Sequence, residues 1–142
     1  MRHLRHLARE ERGNAVVEGA VYLTGLVLLV GLIILGGRLA LARQALNHVA
    51  FQAARTASLQ RDAGTAQTEA QSQAAATLAN QHLTCVSSST SVDVSGFGAP
   101  LGEPASVTAM TTCSMPLGSL LGSTTITIRS TATSPIDSWR AR

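Results

Sequence analysis

The sequence has no lysine: all eleven of its basic residues are arginine, so neither a Schiff-base amine nor a phosphate-clamping lysine is available. Aromatic residues make up 3% and charged residues 13% of the chain. That is too little for a base-stacking nucleic-acid surface or for a solvating acidic tail. The two cysteines, Cys85 and Cys113, stand in no CxxC or Cys/His spacing for zinc. His3 and His6 share helical spacing but have no further ligand near them. Beyond Glu18 the acids are scattered at Asp62, Glu69, Asp93, Glu103 and Asp137, and the later histidines are only His48 and His82. No GxSxG elbow appears, and no glycine-rich loop joins a strand to a helix. The expectation is a protein that is not an enzyme, with no catalytic residues, no metal, no cofactor, no small-molecule substrate and no nucleic-acid partner.

What is present is a long apolar run. From Gly19 to Gly37 there is no charged side chain. At about 1.5 Å per helical residue, such a run comes close to the roughly 30 Å hydrocarbon core of a bilayer. The segment 14–41 is therefore expected to be a transmembrane helix in contact with membrane lipid. A leader, 1–13, precedes it with Arg2, Arg5, Arg9 and Arg12. Basic groups beside a spanning helix favour the cytoplasmic side, so the N-terminus is expected inside and the domain 42–142 outside. One carboxylate, Glu18, stands at the start of the apolar run, where an acid is costly and commonly functional. A cut between Gly13 and Asn14 would create an ammonium group four residues from Glu18, one helical turn away on the same face.

A basic leader ending in Gly13, then Asn14-Ala15-Val16-Val17-Glu18 and an apolar helix, resembles the processing signal of type IV prepilins. With Glu11-Arg12 before it and Gly36-Gly37-Arg38-Leu39-Ala40-Leu41-Ala42-Arg43-Gln44-Ala45 after it, the chain looks like the TadE-like pilus assembly proteins of tight-adherence secretion systems. The segment Ala132-Thr133-Ser134-Pro135-Ile136-Asp137-Ser138-Trp139-Arg140 is similar to the C-terminal end of actinobacterial-type members. The resemblance implies cleavage after Gly13 by a membrane-embedded prepilin peptidase, with Glu18 as the fifth residue of the mature chain. It also implies pilins and pilus assembly platform proteins as partners, and a location in the membrane or in an extracellular pilus.

The rest of the chain reads as α+β. Past Arg38 the helix should continue into water to about Gln60, with Ala42, Ala45, Val49, Ala53 and Ala57 recurring at helical spacing. Gly36 and Ala40 match the small-xxx-small spacing by which spanning helices associate. Asp62 to Gly64 reads as a break in which Asp62 or Thr65 can cap a second helix over Thr65 to His82. That helix presents Ala66, Ala70, Ala74, Ala75 and Leu78 on one broad side. After Leu83, Ser, Thr and Val dominate, and a small antiparallel sheet of about three strands is expected. The strands are Thr84 to Val94, Ser106 to Met115 and Thr124 to Thr133, with Gly96 to Pro104 as a loop and Pro135 to Arg142 as a tail. Val86, Thr90, Val92 and Val94 should share one face of the first strand, and Ile126, Ile128 and Ala132 one face of the third.

The apolar link of Leu117, Leu120 and Leu121 suits either a cap on the core or a contact with membrane or partner. The cysteines fit one Cys85 to Cys113 disulfide in an oxidising compartment, the other arrangement being two buried free thiols. The functional expectation is a minor pilin or pseudopilin that acts mechanically in pilus assembly. Two other readings are an uncut membrane-anchored protein and a secreted binding domain or hydrolase released by signal peptidase after Ala42, where Ala40-Leu41-Ala42 matches an A-x-A site.

Overall fold

Helix α1 runs from Arg2 to Ser58. Alanine, leucine and arginine favour it, and the first proline of the chain is Pro100, so nothing removes a backbone donor along its length. The fold is that of a computed structural model describing residues 2–81, 83–116 and 124–139, with side chains from residue 16 onward. Internal contacts divide the chain into two units, Met1–Ala40 and Leu41–Arg142. The first is the N-terminal part of α1.

The second unit begins with the remainder of α1 and continues through α2 (Ala63–Asn80), β1 (Ser87–Asp93), a short 3-10 turn (Ser95–Gly98), β2 (Ala105–Pro116) and β3 (Thr125–Ile136). The end of α1 is tied off by the Ser58 hydroxyl, which donates to the Arg55 carbonyl at 2.9 Å. Asp62 then sits in extended backbone as the N-cap of α2, its Oδ1 accepting the Thr65 N–H at 2.8 Å. Side-chain capping of this kind satisfies one of the donors that the first helical turn leaves open.

The three strands form one antiparallel sheet in the order β1-β2-β3. Met110 pairs with Ser91 on one side and Thr131 on the other, which fixes the register of all three strands. Alternation does the rest: Val107, Ala109, Thr111 and Cys113 of β2 are buried while their neighbours are partly exposed. One face of the sheet therefore carries the core. It meets Val49, Ala53, Ala54 and Ala57 of α1 and Ala66, Ala70 and Ala74 of α2, together with Val92, Val107, Ala109 and Ile136 from the strands. Alanine is the common element because a side chain of one carbon lets helices and sheet approach closely.

Buried hydroxyls are interleaved with this core and are paired, as buried polar groups must be. Ser58 and Ser134 share a hydrogen bond at 2.9 Å and Thr90 and Thr111 one at 3.2 Å. The Ser130 hydroxyl donates to Asn47 Oδ1, and Thr77 back-bonds to the Gln73 carbonyl at 2.8 Å. These four contacts tie α1 to β3, β1 to β2, and α2 to itself.

Several sequence expectations are corrected in detail. The buried stripe of α1 includes Leu46, Ala50 and Ala54, whereas Ala45 is only partly buried. On α2, Ala75 is exposed and Thr77 takes a buried place, since the face is set by Ala66, Ala70 and Ala74. Val86 precedes β1 and is 70% exposed, so only Thr90 and Val92 of the expected face belong to the strand. β3 continues through Pro135 to Ile136 rather than ending at Thr133. An edge strand tolerates proline because one side of its backbone needs no ladder donor. His82, Leu117, Leu120, Leu121, Arg140 and Arg142 lie outside the described residues.

Candidate membrane and assembly segment

Within α1, Val16, Val17, Val21, Tyr22, Leu23 and Leu26 begin a run of exposed large apolar side chains that continues to Leu35. Exposure ranges from 72% at Val16 to 38% at Leu35, on every side of the helix. In water such a surface would be costly at about 25 cal/mol per Å² of apolar area. The helix is long and apolar enough to cross a membrane: its most apolar window has a mean hydropathy of 2.4, and none of that window is buried in the protein. The hydroxyl of Thr24 donates to the Ala20 carbonyl at 2.8 Å, so this polar group is satisfied inside its own helix, as an apolar solvent requires. Thr77 of α2 makes the same bond to its own helix.

Glu18 is exposed on the same helix, and among the described residues it has no ion-pair partner. Gly13 and Asn14 lie in helical backbone just before it, their side-chain environment being outside the described residues. Asn14 and Glu18 are thus one turn apart along an unbroken helix. Gly36 and Ala40 are exposed, and a Cβ added at Gly36 would meet nothing within 4 Å. Among the described residues no packing uses the small surface that they offer, so it is accessible to another helix. Arg38 and Arg43 are exposed near the far end of the apolar run.

In the second unit Cys85 and Cys113 are joined by a disulfide, their Cα atoms 5.5 Å apart. It staples the segment after α2 to the middle strand, and Cys113 is buried. Two of the carboxylates there, Asp62 and Asp93, serve local structure. Asp62 caps α2, and Thr65 holds its carboxyl below the usual carboxylate range, the backbone N–H contributing most. Asp93 Oδ1 accepts the Ser95 N–H at 2.9 Å, and that bond lowers its pKa in the same way. Both groups stay ionised at neutral pH and neither is suited to proton transfer there.

Two shallow clefts flank the 3-10 turn. One, of about 530 Å³, lies between Asp93, Ser95, Gly96, Ser106, Thr108 and Pro135. The other, of about 420 Å³, includes Arg61, Asp62, Val94 and Phe97. Among the described residues no three His, Cys, Asp or Glu side chains converge as a metal site would need. His48 is exposed on α1. Trp139 is 84% exposed beside Gly102, whose N–H donates to the Ser138 carbonyl at 2.9 Å. Gly102 has φ +88°, a backbone region that glycine enters without strain.

The chain matches no family model, no curated protein and no solved structure.

Proposed function

We propose that this chain is a prepilin-like membrane protein, a minor pilin or pseudopilin of the TadE-like kind, that acts in assembly of a tight-adherence type IV pilus. Its leader is removed after Gly13 by a prepilin peptidase. The 14–41 segment then holds it in the membrane as a single span, with the N-terminus cytoplasmic and the α+β unit outside. The observation that carries this reading is a lone carboxylate, Glu18, in an exposed apolar helix, one turn from the residue that cleavage would make the new N-terminus.

The chemistry is electrostatic. An unpaired charge costs roughly 2.5 to 3.5 kcal/mol at the centre of a spanning helix. Glu18 neutralises the freed ammonium of Asn14, in its own chain or in a neighbouring subunit, and so favours one register between adjacent helices. Gly36 and Ala40 allow a partner helix to come close, which adds dispersion contact in lipid. Pilins, assembly platform proteins and lipid are the partners, and the role is mechanical.

The test is Glu18→Ala in the native host, with pilus assembly and extraction of the subunit from membranes as readouts. Loss of pili with unchanged cleavage and protein level is expected. Normal pili and normal extraction would contradict the role of Glu18.

A further inference from the structure

The sheet has a second face, and no described element covers it. Opposite the alanine core the strands present a grid read directly from the register: Ser87, Ser114 and Thr127 in one row, Ser89, Thr112 and Arg129 in the next, then Ser91, Met110 and Thr131, and finally Asp93, Thr108 and Thr133. Nearly every position carries a small hydroxyl. Several of these hydroxyls are bonded across strands, Ser89 with Thr112 at 2.7 Å, Ser114 with Thr127 at 2.9 Å and Thr108 with Thr133 at 3.1 Å. Those side chains are consequently held in place on the face.

Three side chains break the pattern, and their placement is symmetric. Met110 stands on the middle strand, Arg129 one row away on β3 and Asp93 one row away in the opposite direction on β1. Arg129 and Asp93 are both exposed, and among the described residues neither has a partner of opposite charge. They cannot meet within one chain. Two strand spacings and four residues along the strand put their backbones about 16 Å apart.

We infer that the occupant of this face is a second copy of the same chain, related by a two-fold axis that passes through Met110. A two-fold in the plane of the face, perpendicular to the line from Arg129 to Asp93, brings Arg129 of each copy opposite Asp93 of the other. It sets the two methionines against each other at the centre. The interface is isologous, with the same patch on both sides. The open cleft at Asp93, of about 530 Å³, receives the incoming guanidinium, while Asp93 Oδ1 remains engaged by the Ser95 N–H.

The area is small. The grid covers on the order of 300 Å² per copy, against about 800 Å² per partner in a standard stable interface. The contact is therefore weak and wet, and the charges set orientation more than affinity. It does not depend on the pilus reading. Holding two copies in one membrane would only raise their effective concentration.

The experiment is disulfide cross-linking of the full chain in membranes of expressing cells, where the native cysteines are already paired. Met110→Cys should give a covalent dimer on oxidation. Thr127→Cys, a corner of the face more than about 20 Å from its twin in this arrangement, should give at least tenfold less. In the Met110→Cys background, Arg129→Glu alone and Asp93→Arg alone should each reduce cross-linking several-fold. Co-expression of those two variants should restore it, because the two reversed side chains then face each other while the native Asp93 of one copy still faces the native Arg129 of the other. Arg129 lies on the exposed face, so its reversal leaves the core intact even if the Asp93 variant loses its turn. Equal cross-linking at positions 110 and 127, or dimer yield at 110 indifferent to Arg129→Glu, would overturn the proposal.

Discussion

At the scale of single residues, Asp62 holds a piece of backbone by a bond that one substitution removes, and Gly96 leaves room that one substitution would fill. Asp62 caps α2 through the Thr65 N–H, and its folded-state pKa lies below the ordinary aspartate value of 3.8. A depressed carboxylate pKa contributes stability that is present above the unfolded value and fades as pH falls through the folded one. Asp62→Ala should therefore lower the melting temperature of the purified chain at neutral pH, and the difference from wild type should shrink as pH drops below 3.8. Asp62→Asn, which can still accept the bond, should lose less at neutral pH. Gly96 is needed for space: a Cβ there would collide with the Ser106 carbonyl oxygen, a backbone atom that cannot swing aside. Gly96→Ala should cost about 1–3 kcal/mol as an overpacked site, measurable by denaturant unfolding. The cap at Asp62 is legible in the sequence because a side-chain oxygen before an alanine-rich run has a local meaning. The roles of Gly96 and Arg129 are not, since they depend on which strand lies opposite.

At the scale of elements, local pattern locates α2, the three strands and the end of α1 to within a few residues, whereas α1 begins at Arg2 rather than at the expected Asn14; the errors have physical causes. Ala75 of α2 does not take the buried place expected of it and Thr77 is buried instead, because alanine is indifferent to burial, so a helix rich in it carries little facial signal. Leu46, fully buried on α1, falls outside the expected alanine stripe although it is among the largest side chains in the core. Leu46→Ala should cost about 2–5 kcal/mol, whereas the same change at exposed Leu41 should leave the stability of the folded unit nearly unchanged. Pro135 reads locally as a strand breaker, yet β3 passes through it because the strand lies at the edge of the sheet. The disulfide closes a span of 28 residues and ties the segment after α2 to β2 in a unit whose core is built largely from alanine. Its reduction should lower stability by roughly 3–4 kcal/mol on the chain-entropy model, seen as a lower melting temperature in reductant and absent in Cys85→Ser/Cys113→Ser.

At the scale of the whole molecule, an uncharged stretch of bilayer length within α1 comes before an α+β unit whose carboxylates are scattered or engaged in capping. On the proposed reading, function lies in where the chain is held and what it touches, and among the described residues Glu18 is the charged side chain whose position in the apolar helix calls for a partner. The apolar run itself is plain from composition. The partner proposed for Glu18 is not, because on that proposal it arises only on cleavage or from a neighbouring subunit. The most direct measurement is intact mass and N-terminal sequencing of the protein from membranes of its native host. A mature chain beginning at Asn14 is expected, with Gly13→Leu retaining the leader; a chain still beginning at Met1, or one beginning at Arg43, would contradict the assignment.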